Sequence, residues 1–455
     1  MTAAETADLR NAEQAPRPSR GDVLELGVDS LAYGGNGVAR ANGFVVFVKG
    51  GLPGDRVRAR VKKAKRGYAE ASVVELLSPS PDRVPDLCTH GGDPCPGAPW
   101  QGLAYERQLE HKQAQVADAL ERLGKLSGFE LEPIEPAVEL WRYRNKLEYS
   151  FGEDEGRLVL GFHRRGRWDE VVDVEDCHLA SERNNRARNE VREWAAALEG
   201  VRPYDRRSGE GTLRNLVVRE GRRTGTLQTR LVTSPAPLPE PPPVDLHTVV
   251  EGSGGGTEGV TRALGAEQLE EKLCGLELRI SGEAFFQTNT EMAERLYGVA
   301  AELAGLSGRE RVFDLYCGTG TIALALAGQA GEVWGLELNE SAIADAEANA
   351  ALNGIGNAHF IAGNARTTIR PLVERAGKPD VVVIDPPRAG LSAKVVRRVI
   401  ECEAKRVVYV SCNPTTLAPN AAQLEEAGYR LRRVKPVDMF PQTPHIECVA
   451  LLERG

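Results

Sequence analysis

Cys412 stands where a nucleophile belongs. The segment Arg406–Asn413 reads as a strand, Arg-Val-Val-Tyr-Val, running into the polar turn Ser411-Cys412-Asn413-Pro414. Runs of β-branched and aromatic residues suit central parallel strands, and in open α/β sheets the reacting groups sit just past the carboxyl ends of such strands. A thiol there is either a nucleophile or a buried structural cysteine, and its surroundings decide which. Four other segments end in useful groups. Val312–Leu315 leads into the loop Tyr316-Cys317-Gly318-Thr319-Gly320-Thr321 and then an Ala/Leu-rich helix. Glycines in such a loop let backbone approach a ligand closely. Val333–Leu338 carries Glu337, an acid suited to ribose hydroxyls. His359–Asn364 ends in an amide that can meet adenine, and Val381–Ile384 ends at Asp385-Pro386-Pro387-Arg388. Glycine loop, acid, amide, carboxylate and thiol, each at a successive strand end, converge on one rim. A dinucleotide and S-adenosylmethionine both fit the loop and Glu337, and it is the continuation to Asp385 and Cys412 that separates them.

The elements that must position these groups fill a chain of 455 residues, long enough for about three domains, with 41% hydrophobic content. No apolar run reaches the length of about 18 residues needed to span a bilayer, and the polar start lacks a signal-peptide core, so a cytoplasmic protein is expected. Eight scattered cysteines make no disulfide framework. A net charge of -8 gives no whole-chain case for nucleic acid, but local patches differ. Met1–Arg20 reads as a tail. From Gly21 to Leu77, short strands at Val23–Leu26, Phe44–Val48, Arg56–Val61 and Ala71–Leu77, with turns at Gly34–Gly37 and Gly50–Asp55, predict a small β-barrel. Seven of the eleven residues from Arg56 to Arg66 are basic, and Arg56, Arg58, Arg60 and Lys62 alternate onto one strand face. That face suits an RNA backbone, a solvated face being the alternative.

Ser78–Pro99 is a connector holding Cys88 and Cys95, followed by a helix over about Tyr105–Leu123 with Leu109, Val116, Leu120 and Leu123 inward. Cys88, Cys95 and Cys177 suggest an iron–sulfur site, but four thiolates are usual and the position for a third local ligand is Ala98. Trp141–Gly282 reads as mostly β with helices. Strands opening at Trp141–Lys146, Gly161–Arg165 and Leu213–Arg219 interleave arginines with aromatics, a habit of single-stranded RNA binding, with a solvated sheet face as the alternative. Ser234–Val244 and Gly252–Gly259 are loops. Met292, Leu296, Val299 and Leu303 lie at helical spacing, with Asn289 or Thr290 as cap.

With these motifs in place the chain resembles the RNA uracil-5 methyltransferase family over nearly its whole length from Gly21. The segments that carry the likeness are Gly34–Ala39 and Leu52–Asp55 for a TRAM barrel, and Phe285-Phe286-Gln287-Thr288-Asn289, Asp314–Gly320, Asp385–Leu391, Ser411–Pro414 and His445-Ile446-Glu447-Cys448-Val449 for the rest. The resemblance implies an α/β protein: a tail at 1–20, a TRAM-like RNA-binding barrel at 21–77, a central RNA-binding domain at 78–282 with a degenerate iron–sulfur site, and a Rossmann-like class I methyltransferase domain at 283–455. It implies that Gln287, Tyr316, Glu337 and Asp385 bind S-adenosylmethionine, with Thr321 and Asn364 at positions that also line that pocket. It implies a catalytic pair, Cys412 adding to carbon 6 of uracil and Glu447 removing the hydrogen from carbon 5. The partner is RNA, ribosomal or transfer, and the protein is expected to be a monomer away from membranes. Three rival readings are weaker. An adenine-N6 methyltransferase wants an aromatic where Arg388 stands, RNA cytosine-5 enzymes place their cysteine differently, and a non-catalytic RNA-binding relic would have lost donor or nucleophile positions, all of which are present.

Overall fold

The computed structural model describes residues 17–90, 93–164, 166–252 and 256–455. Of the expected features, the tail up to residue 16, Arg165 and residues 253–255 of the Gly252–Gly259 loop lie outside the described residues. Contacts divide the chain into two compact units. The first holds the segment up to Asp86 with Pro99–His111 and Gln442–Pro444; the second holds Leu87–Ala98, Lys112–Pro441 and His445–Gly455.

In the first unit, β1 (Val23–Leu31), β2 (Gly37–Ala41), β3 (Phe44–Lys49), β4 (Arg56–Ala64) and β5 (Tyr68–Ser78) close a barrel in the order β1-β2-β3-β5-β4. Period-two alternation along β4 buries Val57, Ala59 and Val61 and turns Arg56, Arg58, Arg60 and Lys62 outward. Arg58 is partly neutralised by Glu25 and Glu75. The Leu52–Asp55 turn is held by the buried Asp55 carboxylate, which accepts from Leu52 N at 2.7 Å and Ser80 N at 2.9 Å and pairs with Arg83.

A short hairpin, β6 (Thr89–His90) with β7 (Asp93–Pro94), separates Cys88 from Cys95. Helix α1 (Tyr105–Asp118) continues into one π turn at Ala119–Leu123. The extra residue in that turn rotates the apolar stripe, so Leu123, expected inward, is 59% exposed. After β8 (Glu130–Leu131) comes a central sheet of β9 (Lys146–Asp154), β10 (Arg157–His163), β11 (Val171–Asp173), β12 (Leu213–Glu220), β13 (Leu227–Thr233), β14 (Leu246–Val249) and β15 (Val260–Ala263), ordered β11-β10-β9-β12-β13-β14-β15. Helix α2 (Glu182–Ala197) packs on β10 and β12.

Three expectations change here. The strand expected from Trp141 starts at Lys146, because Arg142 adopts a left-handed φ of 59° that no strand accommodates; its guanidinium is gripped by Asp176. Gly161–His163 closes β10 rather than opening a strand. Finally, β12 is buried on both faces, so its arginines make interior contacts instead of standing on a solvated sheet face. Arg219 donates to the carbonyls of Ser281 at 2.7 Å and Ala284 at 3.3 Å, and Arg230 of β13 pairs with Glu283.

The hairpin β16 (Gln268–Leu273) and β17 (Leu276–Ser281) precedes the last sheet. There α3 (Thr290–Ala304), β18 (Arg311–Leu315), α4 (Thr321–Ala327), β19 (Glu332–Glu337), α5 (Glu340–Leu352), β20 (Ala358–Ala362), α6 (Ala365–Ala376), β21 (Val381–Ile384), α7 (Ala393–Cys402), β22 (Arg406–Ser411), α8 (Pro414–Glu426), β23 (Tyr429–Val437) and β24 (Glu447–Arg454) follow in turn. The strand order is β20-β19-β18-β21-β22-β24-β23-β8, with β18 to β22 parallel and β24 inserted antiparallel between β22 and β23. Alternate residues feed two apolar layers: Phe313, Val382, Val407 and Tyr409 on one face, Val312, Val381, Val408 and Val410 on the other. Helices on both faces make this a doubly wound, Rossmann-like α/β domain. Among the described residues no helix is long and apolar enough to cross a membrane.

Candidate active site

The glycine loop leaves β18 through strained backbone. Tyr316, Gly318 and Gly320 all have positive φ, and a Cβ on Gly320 would lie 2.9 Å from Ala346 Cβ and 3.0 Å from the Phe360 ring. Only glycine lets the loop sit this close to α5. At the end of β19, Glu337 accepts from Gly318 N at 3.3 Å with one oxygen and from Leu338 N at 2.7 Å and Asn339 N at 2.9 Å with the other. The acid is therefore clamped to the loop it would serve. Asn364 caps α6, accepting from Arg366 N at 3.0 Å, and is exposed at the end of β20. Tyr316 is half-buried, with its phenol pKa raised by burial and by Glu337. Gln287 is buried, its carbonyl held by Asn145 Nδ2 at 2.9 Å. Thr321 differs from the others, because its hydroxyl meets the buried Tyr297 OH at 3.3 Å.

The thiol rim is built by register. Ser411 pairs with Cys448 across β22 and β24, so Cys412 and Glu447 emerge beside each other at one end of the sheet. The Cys412 turn is pinned on both sides: Asn413 caps α8 through Thr415 N at 3.0 Å, while its Nδ2 donates to the Arg388 carbonyl at 3.1 Å. Asn420 completes the tie, accepting from Leu391 N at 2.9 Å and Tyr409 OH at 3.0 Å. Burial, Glu447 and Asp385 push the Cys412 thiol up to about 11, and Arg388 opposes them. Burial lifts Asp385 to about 7, and burial with Asp385 holds Glu447 well above the carboxylate range, again opposed by Arg388. Two reluctant carboxylates, one thiol and one guanidinium thus share a desolvated rim, an arrangement suited to moving protons and adding a thiolate to an electrophile.

Sequence reasoning quoted Arg388 and Asp314 without giving either a role. Arg388 is the cation that Cys412 and Glu447 both feel. Asp314 is fully buried, neither oxygen meets a donor at good hydrogen-bond geometry among the described residues, and burial with Asp385 lifts it to about 8 against the opposing Ala323 backbone N–H. The signal was available: an acid inside an otherwise apolar strand, Val312-Phe313-Asp314-Leu315. Asn413 and Asn420 carried no such signal, because their partners lie on another loop.

Cys88, Cys95 and Cys177 do converge. All three are buried along one cavity of about 280 Å³ that Trp141, Phe162 and Leu147 also line. The Cys88 thiol is hydrogen-bonded to Cys95, and the methyl group of Ala98 packs against both. Three thiols and a methyl group do not fit a four-thiolate cluster. Among the described residues no three His, Cys, Asp or Glu side chains are placed to hold a metal ion.

A family model described as tRNA (uracil-5-)-methyltransferase matches residues 264–455, and a TRAM domain model matches residues 18–74. An uncharacterized RNA methyltransferase of Halalkalibacterium halodurans is 38% identical over 97% of this chain and 99% of its own length. Another from Caldanaerobacter subterraneus is 38% identical over 96% and 100%. The crystal structure of Pyrococcus abyssi tRNA (uracil-54, C5)-methyltransferase in complex with S-adenosyl-L-homocysteine is similar with a TM-score of 0.78 and 29% identity, covering 94% of this chain and all of that one.

Proposed function

Because the chain belongs to the RNA uracil-5 methyltransferase family, with a TRAM domain and S-adenosylmethionine as methyl donor, we propose that Cys412 and Glu447 carry its reaction through a covalent adduct. The pairing of Ser411 with Cys448, which sets the thiol beside the acid, is the observation that supports this most. Carbon 5 of uracil is a poor nucleophile. The Cys412 thiolate adds to carbon 6, and the electron pair so released makes carbon 5 nucleophilic. Bound S-adenosylmethionine supplies the methyl group and a positive sulfonium. Glu447 then takes the hydrogen from carbon 5, the ring double bond re-forms, and the bond from carbon 6 to sulfur breaks. Arg388, a cation acting on both groups, favours the thiolate and the carboxylate over their neutral forms.

Gln287, Tyr316, Glu337, Asn364 and Asp385 hold the donor, Glu337 at the ribose and Asn364 at the adenine. Thr321 lines the same pocket, its hydroxyl held by Tyr297. The segments 21–77, 78–282 and 283–455 serve as barrel, central RNA-binding and methyltransferase domains of a cytoplasmic monomer. The substrate is a uridine in structured RNA, transfer or ribosomal.

Incubation with labelled donor and total RNA, followed by nucleoside analysis, should put the label in 5-methyluridine. Label confined to adenosine or cytidine would sink the reading. Mapping the 5-methyluridine lost from cells without the gene then identifies the RNA.

A further inference from the structure

Away from the thiol rim, the central sheet carries a second cavity of about 360 Å³, within the range of pockets that enclose small ligands. Its walls carry two aromatic rings with arginines beside them. Trp168 has the Arg207 guanidinium over its ring at 4.9 Å yet remains 49% exposed. Tyr204 is backed by Arg214 at 4.0 Å, and Arg214, itself only 6% exposed, donates to Ser234 Oγ at 2.9 Å and the Gly252 carbonyl at 2.5 Å. Each ring thus has a guanidinium against one face.

The rest of the lining is polar. Ser150 Oγ meets His163 Nε2 at 3.2 Å and Asn215 Nδ2 at 3.3 Å, a row of three side chains able to give and accept hydrogen bonds. Of the acids that line the cavity, Asp169 pairs with Arg207 and Asp205 accepts from the Arg207 backbone N at 2.7 Å, while Glu153 is exposed. Arg206, exposed at the mouth, forms no ion pair among the described residues. Flat rings, hydrogen-bonding groups and one uncommitted cation match a flat heterocycle with polar edges on a phosphate backbone.

We infer that this cavity binds an unpaired nucleobase of the RNA substrate, stacked on Trp168, with its edge toward Ser150, His163 and Asn215 and its phosphate at Arg206. It is a second nucleotide site, separate from the one that holds the reacting uridine, and it rests on the reading of the chain as an RNA enzyme. It also returns part of the arginine–aromatic pattern of the central region to RNA, through Trp168, Tyr204 and Arg206, with Arg214 and Asn215 of β12 also lining the cavity.

Titration of the full-length protein with a fluorescein-labelled single-stranded oligouridylate tests it. Trp168→Ala should weaken binding roughly tenfold, within the span seen when one base loses its aromatic partner. Trp168→Phe should restore most of that loss. Because stacking carries no charge, Trp168→Ala should leave the salt dependence unchanged, whereas Arg206→Ala should reduce the slope of log affinity against log salt by about one. Donor affinity, and turnover at saturating RNA, should stay at the wild-type level in all three variants. Wild-type affinity in Trp168→Ala, or a loss that appears only as a changed salt slope, overturns the inference. A wild-type protein that makes no 5-methyluridine would overturn the proposed reaction instead, and leave the oligouridylate result to judge the cavity.

Discussion

Two places in this molecule gather cysteine, and they differ in what surrounds the sulfur. Around Cys88, Cys95 and Cys177 the lining is largely apolar, though Arg144, His163 and His178 share it, the cysteines are buried, and Ala98 packs with Cys88 and Cys95 where a further ligand was expected. At the other, Cys412 is half-buried, with two protonatable acids and an arginine acting on it, and the buried Cys448 is near enough to feel it. The number of thiols says little about reactivity. What confers it is a neighbour that can accept a proton and a cation that can hold the resulting charge.

The largest effect that could break this contrast is Cys412→Ala, which should lower turnover by at least about 10,000-fold while leaving donor binding intact. Near-normal turnover would move the nucleophile elsewhere. Glu447→Gln comes next, with multiple turnover down roughly 100- to 10,000-fold and one round of methyl transfer preserved. RNA should then stay attached, as a nuclease-sensitive slow band on a denaturing gel that requires donor and disappears when Cys412 is also replaced. Normal turnover, or no adduct despite good RNA and donor binding, would hand the base role to Asp385.

Smaller effects sharpen the comparison. Alkylation of Cys412 by iodoacetamide in the donor-free protein should climb steeply toward an apparent pKa of about 11, and Arg388→Ala should push it higher still. No shift in the variant would remove Arg388 from the account. On the other side, replacing Cys88, Cys95 and Cys177 together by serine should leave turnover within about twofold, as no proton or charge relay joins them to chemistry. Anaerobically purified wild-type protein should carry fewer than four irons per chain, and four irons with a stable visible absorbance would contradict the reading of Ala98.

Asp314 offers the smallest effect. Its native pKa of about 8 lies far above the unfolded value, so the folded state holds a proton that the unfolded state has released. Stability from this group is present at low pH and is lost as pH rises toward about 8. Asp314→Asn should therefore raise the melting temperature of the donor-free protein more at pH 8 than at pH 5, by a few degrees. An equal change at both pH values would mean the carboxyl is not titrating there.

Most of the architecture was legible because it rests on local pattern. The alternation in β4, the cap at Asn289 and the glycine loop before α4 each announce themselves within a few residues. What escaped depends on distant partners. Nothing near Leu213–Arg219 says that both faces of β12 are covered, and nothing near Arg388 says that Glu447 will fold beside it. Leu123 was misjudged by a single π turn, which helical periodicity cannot anticipate. Ala98 was legible as a missing thiol, while the cavity along which Cys88, Cys95 and Cys177 lie was not.

The placement of β24 also sets an order of events in synthesis. β23 is joined to the parallel strands only through β24, which is made last of the sheet and inserts between β22 and its own predecessor. A growing chain that has reached β23 has a complete glycine loop and a thiol at the end of β22, but no place on the sheet for β23 and no Glu447. The edge of β22 stays open until Glu447–Arg454 arrives, a long-range closure that is slow and exposes an apolar strand while it waits. The same step that covers this edge delivers the acid to the thiol, so the emerging polypeptide carries no finished thiol–acid pair until the sheet itself is sealed.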